Sequence, residues 1–371
     1  MTDTLPRAGS GTATEREILQ QPGVWREAAE TIARRRDELD AFLAPLLARP
    51  DLRIVLTGAG TSAFIGEVAA PFLTGRLRRR IDAVATTDLV ADPVELLAED
   101  VPTLLVSFAR SGDSPESTAA TALADRLLAD VHHLVLTCDP GGALHRAHAD
   151  RADSFVLEMP RRANDEGFAM TSSFTSMLLS ALLALGGEAD VEPLAAAAEW
   201  VIGQRDAIEA LVVREPQRIV YLGSGALTGL ARESALKLLE TAAGRIIAVH
   251  DSSLGFRHGP KALLDDRTFV IVYCSEDPYT RAYDEDIAAE LRATIGDDAV
   301  LTVTAGTVEG DAFAVPGLGG VADALLALPF AVFAQLFAFH TSQHYGVTTD
   351  DPFPGGTVNR VVQGVTIHPL P

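Results

Sequence analysis

Residues 53–64 read RIVLTGAGTSAF and residues 218–229 read RIVYLGSGALTG. Each is a short run of β-branched and other apolar residues that ends in a glycine-rich turn and leads into residues able to open a helix. Gly58 and Gly223 stand 223 − 58 = 165 positions apart. The same offset carries TLLVSF from Thr103 onto TFVIVY from Thr268, and the VLT at 135–137 onto the VLT at 300–302. Matches that persist at one offset mark an internal duplication. Apolar strands alternating with helical segments imply a parallel sheet covered on both faces. The expected fold class is therefore α/β, with two tandem homologous doubly wound parallel-sheet domains behind an N-terminal helical arm. The expected divisions are 1–48 for the arm and its helix, 49–190 for the first domain, 191–215 for a linking helix and 216–371 for the second domain.

Outside the repeats, residues 1–23 are polar and rich in Gly, Thr and Pro, which predicts a loose arm. Residues 24–48 have helical apolar spacing and predict one outer helix. An Ala-rich helix near 187–215 is expected to join the halves. The most apolar stretch, 324–339, is too short to span a bilayer and contains Pro329 and Gln335, so a buried core helix is expected. A net charge of −21 argues against a nucleic-acid-binding surface. It also means that any anionic ligand needs a locally favourable site. The two cysteines, Cys138 and Cys274, cannot form a secreted disulfide framework and read as reduced thiols. The N-terminus lacks a basic start followed by an apolar run, so no membrane and a cytoplasmic location are expected.

A dinucleotide fingerprint would need a third glycine where Ala63 stands, and no GKS or GKT follows any strand, so no nucleotide cofactor is expected. His340 and His344 could share a helical face, but no Glu follows the first and they end an apolar segment, so no metal is expected either. His145 and His148 read as solvated, and His132 and His133 as surface residues before a strand.

The strand from Thr103 runs into ARSGDSPEST at 109–118. Ser111, Ser114, Ser117 and Thr118 then lie at a strand C-terminus and a helix N-terminus, where amides and the helix dipole favour an anion. Thr61 and Ser62 occupy the equivalent loop after the first strand, so both loops can converge on one phosphate. Ser114 followed by Pro115 is also an ordinary capping pattern. The corresponding stretch of the second half, SEDPY at 275–279, is acidic and lacks the serines, which a purely structural need would have kept. In the second half, Glu233, Lys237 and Glu240 are spaced four and three apart, on one helical face. A surface ion pair is the plain alternative. HDSSLGFRHGPK at 250–261 adds Arg257, His258 and Lys261, which suit an anionic sugar.

The motifs GAGTS, SFARSGDSPES, EGFAMTSSFT, ARESALKLLE, GFRHGPKAL and GTVNRVVQGVTIHP resemble the sugar isomerase (SIS) superfamily. More narrowly they resemble its AgaS-type galactosamine-6-phosphate deaminase/isomerase group, also known as tagatose-6-phosphate ketose/aldose isomerases. The resemblance implies conversion of galactosamine 6-phosphate to tagatose 6-phosphate and ammonia. A non-deaminating aldose–ketose isomerase and a non-catalytic sugar-phosphate sensor are the alternatives. By resemblance to the more distant isomerase domain of glucosamine-6-phosphate synthase, Glu240 is the C1–C2 proton carrier, supported by Glu233 and Lys237. His258 assists ring opening, acting in a neighbouring subunit's site, which implies a homodimer or larger homo-oligomer. Ser62, Ser111 and Ser114 match the phosphate-binding hydroxyls. Arg110, Arg257 and Gln363 are expected to line the substrate. Ala109 replaces a phosphate-loop serine of the synthase, and Gln363 stands near its C-terminal lysine.

Overall fold

The computed structural model describes residues 11–187, 189–212, 214–362 and 364–371. The first half runs α1 Ala13–Leu19, α2 Gln21–Arg34, α3 Arg36–Leu47, β1 Arg53–Thr57, α4 Thr61–Leu77, β2 Ile81–Ala83, α5 Thr86–Ala91, α6 Pro93–Leu96, β3 Thr103–Ala109, α7 Pro115–Leu127, β4 Val131–Thr137, α8 Ala143–His148, β5 Ser154–Glu158 and α9 Ser172–Gly186. The second runs α10 Glu192–Gly203, α11 Arg205–Val212, β6 Arg218–Gly223, α12 Ala226–Thr241, β7 Ile247–Ser252, β8 Thr268–Tyr273, α13 Pro278–Ile295, β9 Val300–Thr304, β10 Ala312–Ala314 and α14 Asp323–His344.

Two five-stranded parallel sheets result, ordered β2-β1-β3-β4-β5 and β7-β6-β8-β9-β10. In each, the first strand of the half lies between the second and third. The register preserves the duplication: Arg53 pairs with Thr103 as Arg218 pairs with Thr268. The turns match too. Gly60 has φ 55 and ψ −127, and Gly225 has φ 56 and ψ −124. An L-residue rarely adopts that conformation, so glycine is required at both helix starts.

The halves meet where α4 packs on α12. A Cβ at Gly229 would lie 2.8 Å from the Val68 amide nitrogen, so the two backbones touch there. Arg232 sits over the Phe64 ring at 4.7 Å and pairs with Glu67, tying the same helices at their rim. Helix α14 lies beneath both halves, packed on α12, α10, α11, α9 and α4. It continues through Pro329 for 22 residues, longer than the sequence suggested. Its length and composition would suit a membrane, yet 94% of its apolar window is buried inside the protein.

The N-terminal segment differs from expectation. Residues 1–10 lie outside the described residues, but α1 is ordered because Asp350 accepts from the amides of Ala13 (2.7 Å) and Thr14 (2.9 Å) at its first turn. The single outer helix expected over 24–48 is two helices, α2 and α3, divided at Arg35. Nor is it merely outer, since Val24 and Trp25 are fully buried. Trp25 Nε1 donates to Thr175 Oγ1 (2.9 Å), that hydroxyl to Gln21 Oε1 (2.6 Å), and Gln21 Nε2 to Gln335 Oε1 (2.7 Å). This buried chain ties α2 to α9 and α14. The linker is likewise two helices, α10 and α11, broken at Gln204. Cys138 and Cys274 are buried and free.

Gly229→Ala should force α4 and α12 apart. Overpacking of this kind costs about 1–3 kcal/mol, readable as a lower urea midpoint. An unchanged midpoint would mean that the contact yields freely.

Candidate functional site

Strand β3 delivers the loop 110–114 to the N-terminus of α7. The loop is held from behind, since Asp113 accepts from the Ala143 amide (2.9 Å) and the Gly112 carbonyl accepts from the Leu144 amide (2.9 Å) at the start of α8. Its front edge encloses a cavity of about 110 Å³ whose lining includes Ser62, Arg110, Ser111, Ser114, Ser117, Met170 and Arg360. Ser114 and Ser117 share a hydrogen bond of 2.6 Å at the N-terminus of α7. Arg110 is only 7% exposed. It donates to the carbonyls of Phe168 (3.3 Å) and Arg360 (2.8 Å), while Arg360 donates to the carbonyls of Gly167 (3.0 Å) and Asp165. Burial, and then Arg360 itself, hold the Arg110 guanidinium below its ordinary pKa. Serine hydroxyls and two guanidiniums are groups able to hold an anion.

Across from it, α12 presents its charged face. Lys237 is 1% exposed and lies 2.7 Å from Glu240 Oε2 and 3.5 Å from Glu233 Oε1. Burial works against the lysine's charge, but Glu233 and Glu240 raise its pKa above the ordinary value. Glu233 is itself 1% exposed, and burial pushes its carboxyl up to about 8, with Lys237 opposing and Glu240 adding to the shift. The Glu240 side chain remains 26% exposed and is the member of the three able to meet a ligand. The group raised toward neutrality is therefore the buried Glu233. Arg110 feels the charges of Glu240 and Asp165, and Lys237 feels that of Arg110, so the cradle and this helix face are electrostatically in touch. The plain alternative of a surface pair is overturned by the burial.

The other sequence-derived candidates are distributed differently. Ser62, Ser111 and Ser114 line the cavity, but Thr61 turns toward Glu233, whose proton affinity it lowers. Thr118 donates back to the Pro115 carbonyl (3.1 Å), a local bond within the first turn of α7. Arg257 pairs with Glu290 of α13 (2.7 Å), as does Lys261, so neither faces the cavity of its own chain. His258 is exposed in a one-turn 3-10 segment, and its side chain makes no hydrogen bond among the described residues. Gln363 lies outside the described residues. His133 is buried and bonded to Asp125 (2.8 Å), and His148 is buried against Ser154 (3.0 Å), with its pKa lowered to about 4 by burial and then by His133. Neither is the surface group expected, because their helix and strand pack together.

Three participants were missed. Arg360 belongs to the GTVNRVVQGVTIHP motif, in which the resemblance points to Gln363. Met170 accepts from the Ser62 hydroxyl (3.8 Å) and lies in EGFAMTSSFT. Asp165, fully buried, accepts from the amides of Thr171 (2.8 Å), Ser172 (3.0 Å) and Ser173 (2.9 Å) and caps α9. The motifs contained the signal; the spacing did not.

Comparison with known proteins bears on this geometry. The SIS domain family matches residues 46–185. A Streptomyces coelicolor protein is 60% identical, covering 99% of this chain and 98% of its own. The D-galactosamine-6-phosphate deaminase AgaS of Escherichia coli is 46% identical, again over 99% of this chain and 98% of its own. The crystal structure of tagatose-6-phosphate ketose/aldose isomerase from Escherichia coli superposes with a TM-score of 0.91 at 42% identity, covering 99% of each chain.

Glu233 generates a pH test. Its carboxyl stays protonated in the fold up to about pH 8, against an ordinary 4.5. Between those values the folded chain binds more protons than the unfolded one, so this contribution is complete below 4.5 and is lost as pH rises through 8. Glu233→Gln, neutral at every pH, should flatten the decline of the urea midpoint across that window. Parallel wild-type and variant curves would mean that Glu233 is ionised when folded.

Proposed function

Because the chain belongs to the AgaS family of D-galactosamine-6-phosphate deaminases within the SIS-domain proteins, we propose that it converts D-galactosamine 6-phosphate and water to D-tagatose 6-phosphate and ammonia. One observation carries the reading: a serine- and guanidinium-lined cavity at the strand ends of the first half is in electrostatic reach of a carboxylate–lysine–carboxylate row from the second, in which Glu233 and Lys237 are buried and Glu240 is open.

In this reading the 6-phosphate sits on Ser62, Ser111, Ser114 and the amides of α7, and the open-chain sugar extends toward α12. Glu240 takes the C2 proton as O1 gains one, giving an enaminol, and returns its proton to C1 as the amine nitrogen gives one up, which leaves a C1 alcohol and a ketimine at C2. Water adds at C2, the C2–N bond breaks and ammonia leaves. Lys237 holds the Glu240 carboxylate by a 2.7 Å ion pair. Glu233, neutral at pH 7 through burial, leaves the lysine's charge directed at Glu240. Positioned proton transfer of this kind contributes about 10²- to 10⁴-fold.

His258 is assigned to ring opening. Its exposure, and the engagement of Arg257 with Glu290 beside it, support action in a neighbouring copy, so the working unit is a homo-oligomer. Phosphorylated sugars are intracellular metabolites in this scheme, and the cytoplasm is the compartment assigned.

Two measurements check the assignment. Ammonia release should accompany tagatose 6-phosphate formation, and Glu240→Gln should abolish both while galactosamine 6-phosphate still binds. Isomerisation of neutral aldose phosphates with no ammonia from any amino sugar phosphate would favour a plain isomerase. For His258, inactive Glu240→Gln and His258→Ala subunits are mixed and allowed to exchange. In mixed dimers one site is then intact, so random mixing restores about a quarter of wild-type activity. No recovery after confirmed exchange would place His258 in its own subunit's site.

A further inference from the structure

Arg110 and Arg360 converge on the cradle with no acidic partner among the described residues. Each guanidinium has five N–H donors, and the hydrogen bonds found for each go to two backbone carbonyls. Asp165, the carboxylate nearest in charge, is already occupied, since both of its oxygens accept from Thr171, Ser172 and Ser173 at the start of α9. Arg110 is buried at 7% exposure while Arg360 lies open to solvent at the cavity rim, and an anion placed between the two like charges would relieve their repulsion. A chain of net charge −21 makes that local surplus of positive charge still more specific.

Arg360 does not come from either sheet. It lies on the chain that follows α14, which crosses the cradle without secondary structure. That crossing is held on both sides of Arg360. Phe353 packs on Phe168 with ring centroids 5.4 Å apart, and Arg126, at the far end of α7, donates to the carbonyl oxygens of Leu370 (2.7 Å) and Pro371 (2.9 Å). Val358 and Val362 beside Arg360 are 47% and 49% exposed, so this part of the chain is not seated in the core.

We propose that Arg110 and Arg360 form a two-guanidinium clamp for the substrate phosphate, so that the site selects a dianionic phosphate ester over a monoanionic ester of the same sugar. The clamp rests on the reading above that the cradle takes phosphate. Hydroxyls and helix amides serve any oxyanion, whereas a second guanidinium rewards the second charge. Arg360 is a binding and specificity residue here, remote from the C1–C2 chemistry.

The test uses the full chain in the Glu240→Gln background, so that substrate is not consumed. Galactosamine 6-phosphate, galactosamine 6-sulfate and inorganic phosphate are titrated calorimetrically against the parent, Arg360→Gln and Arg360→Lys. One charge-assisted contact corresponds to about 10- to 100-fold in affinity. Arg360→Gln should lose about that factor for both phosphates and much less for the sulfate ester. Arg360→Lys should recover part of it, and with Glu240 intact KM should rise more than kcat falls. Equal losses for phosphate and sulfate esters with a lowered unfolding midpoint would make Arg360 a structural tie and overturn the clamp. Unchanged phosphate affinity would overturn it as well. If the chain with Glu240 intact produces no ammonia but the phosphate-specific loss remains, the deaminase reading fails and the clamp stands. If the parent binds no phosphate compound, cradle and clamp fall together.

Discussion

The backbone contact between α4 and α12 at Gly229 sets the rest of the geometry. Each helix follows the first strand of its half, so their crossing fixes how the two sheets present their strand ends to one another. With no side chain at Gly229, the axes approach until the Val68 amide is at van der Waals distance. The next turn of α12 then places Glu233 beside Thr61, inside the seam rather than on a surface. A bulkier residue would separate not only two helices but the anion cradle from the carboxylates that face it.

Burial in that seam divides three similar-looking residues into different chemical species. Glu233 is desolvated and its proton affinity is raised, Lys237 holds its charge beside the Glu240 carboxylate, and Glu240 reaches the open side with its ion pair intact. The same logic acts in the cradle, where burial makes the Arg110 charge costly in isolation and therefore receptive to an anion.

The duplicated halves have specialised by spending equivalent loops differently. In the first half, loop 110–114 turns its serines toward the cavity. In the second, Ser275 donates to Asp323 (2.6 Å), Asp323 accepts the Glu276 amide (2.9 Å), and Asp277 caps α13. There the polar groups satisfy one another and the helix start, and the acidic character repels an anion. Under the proposed function one half supplies recognition and the other acid–base groups, on a common framework with the same strand order.

The offset of 165, the alternation of apolar strands with helices, and the one-sided serines are local or periodic properties, because parallel strands and helix starts impose their patterns on short stretches. They were enough to determine the fold class, the tandem sheets and the separation of Ser62, Ser111 and Ser114 from Glu233, Lys237 and Glu240. Burial and partnership were not legible in the same way, since they depend on residues far apart in the chain. Nothing near Thr61 announces that it faces Glu233, and nothing near Arg257 announces Glu290. Pro329 reads as a break, yet burial on all sides keeps α14 continuous. Arg360 lies 250 positions from Arg110 and meets it only because the chain after α14 returns across the first half. Sequence periodicity determines which face a residue shares with its neighbours; only the packed structure decides what that face meets.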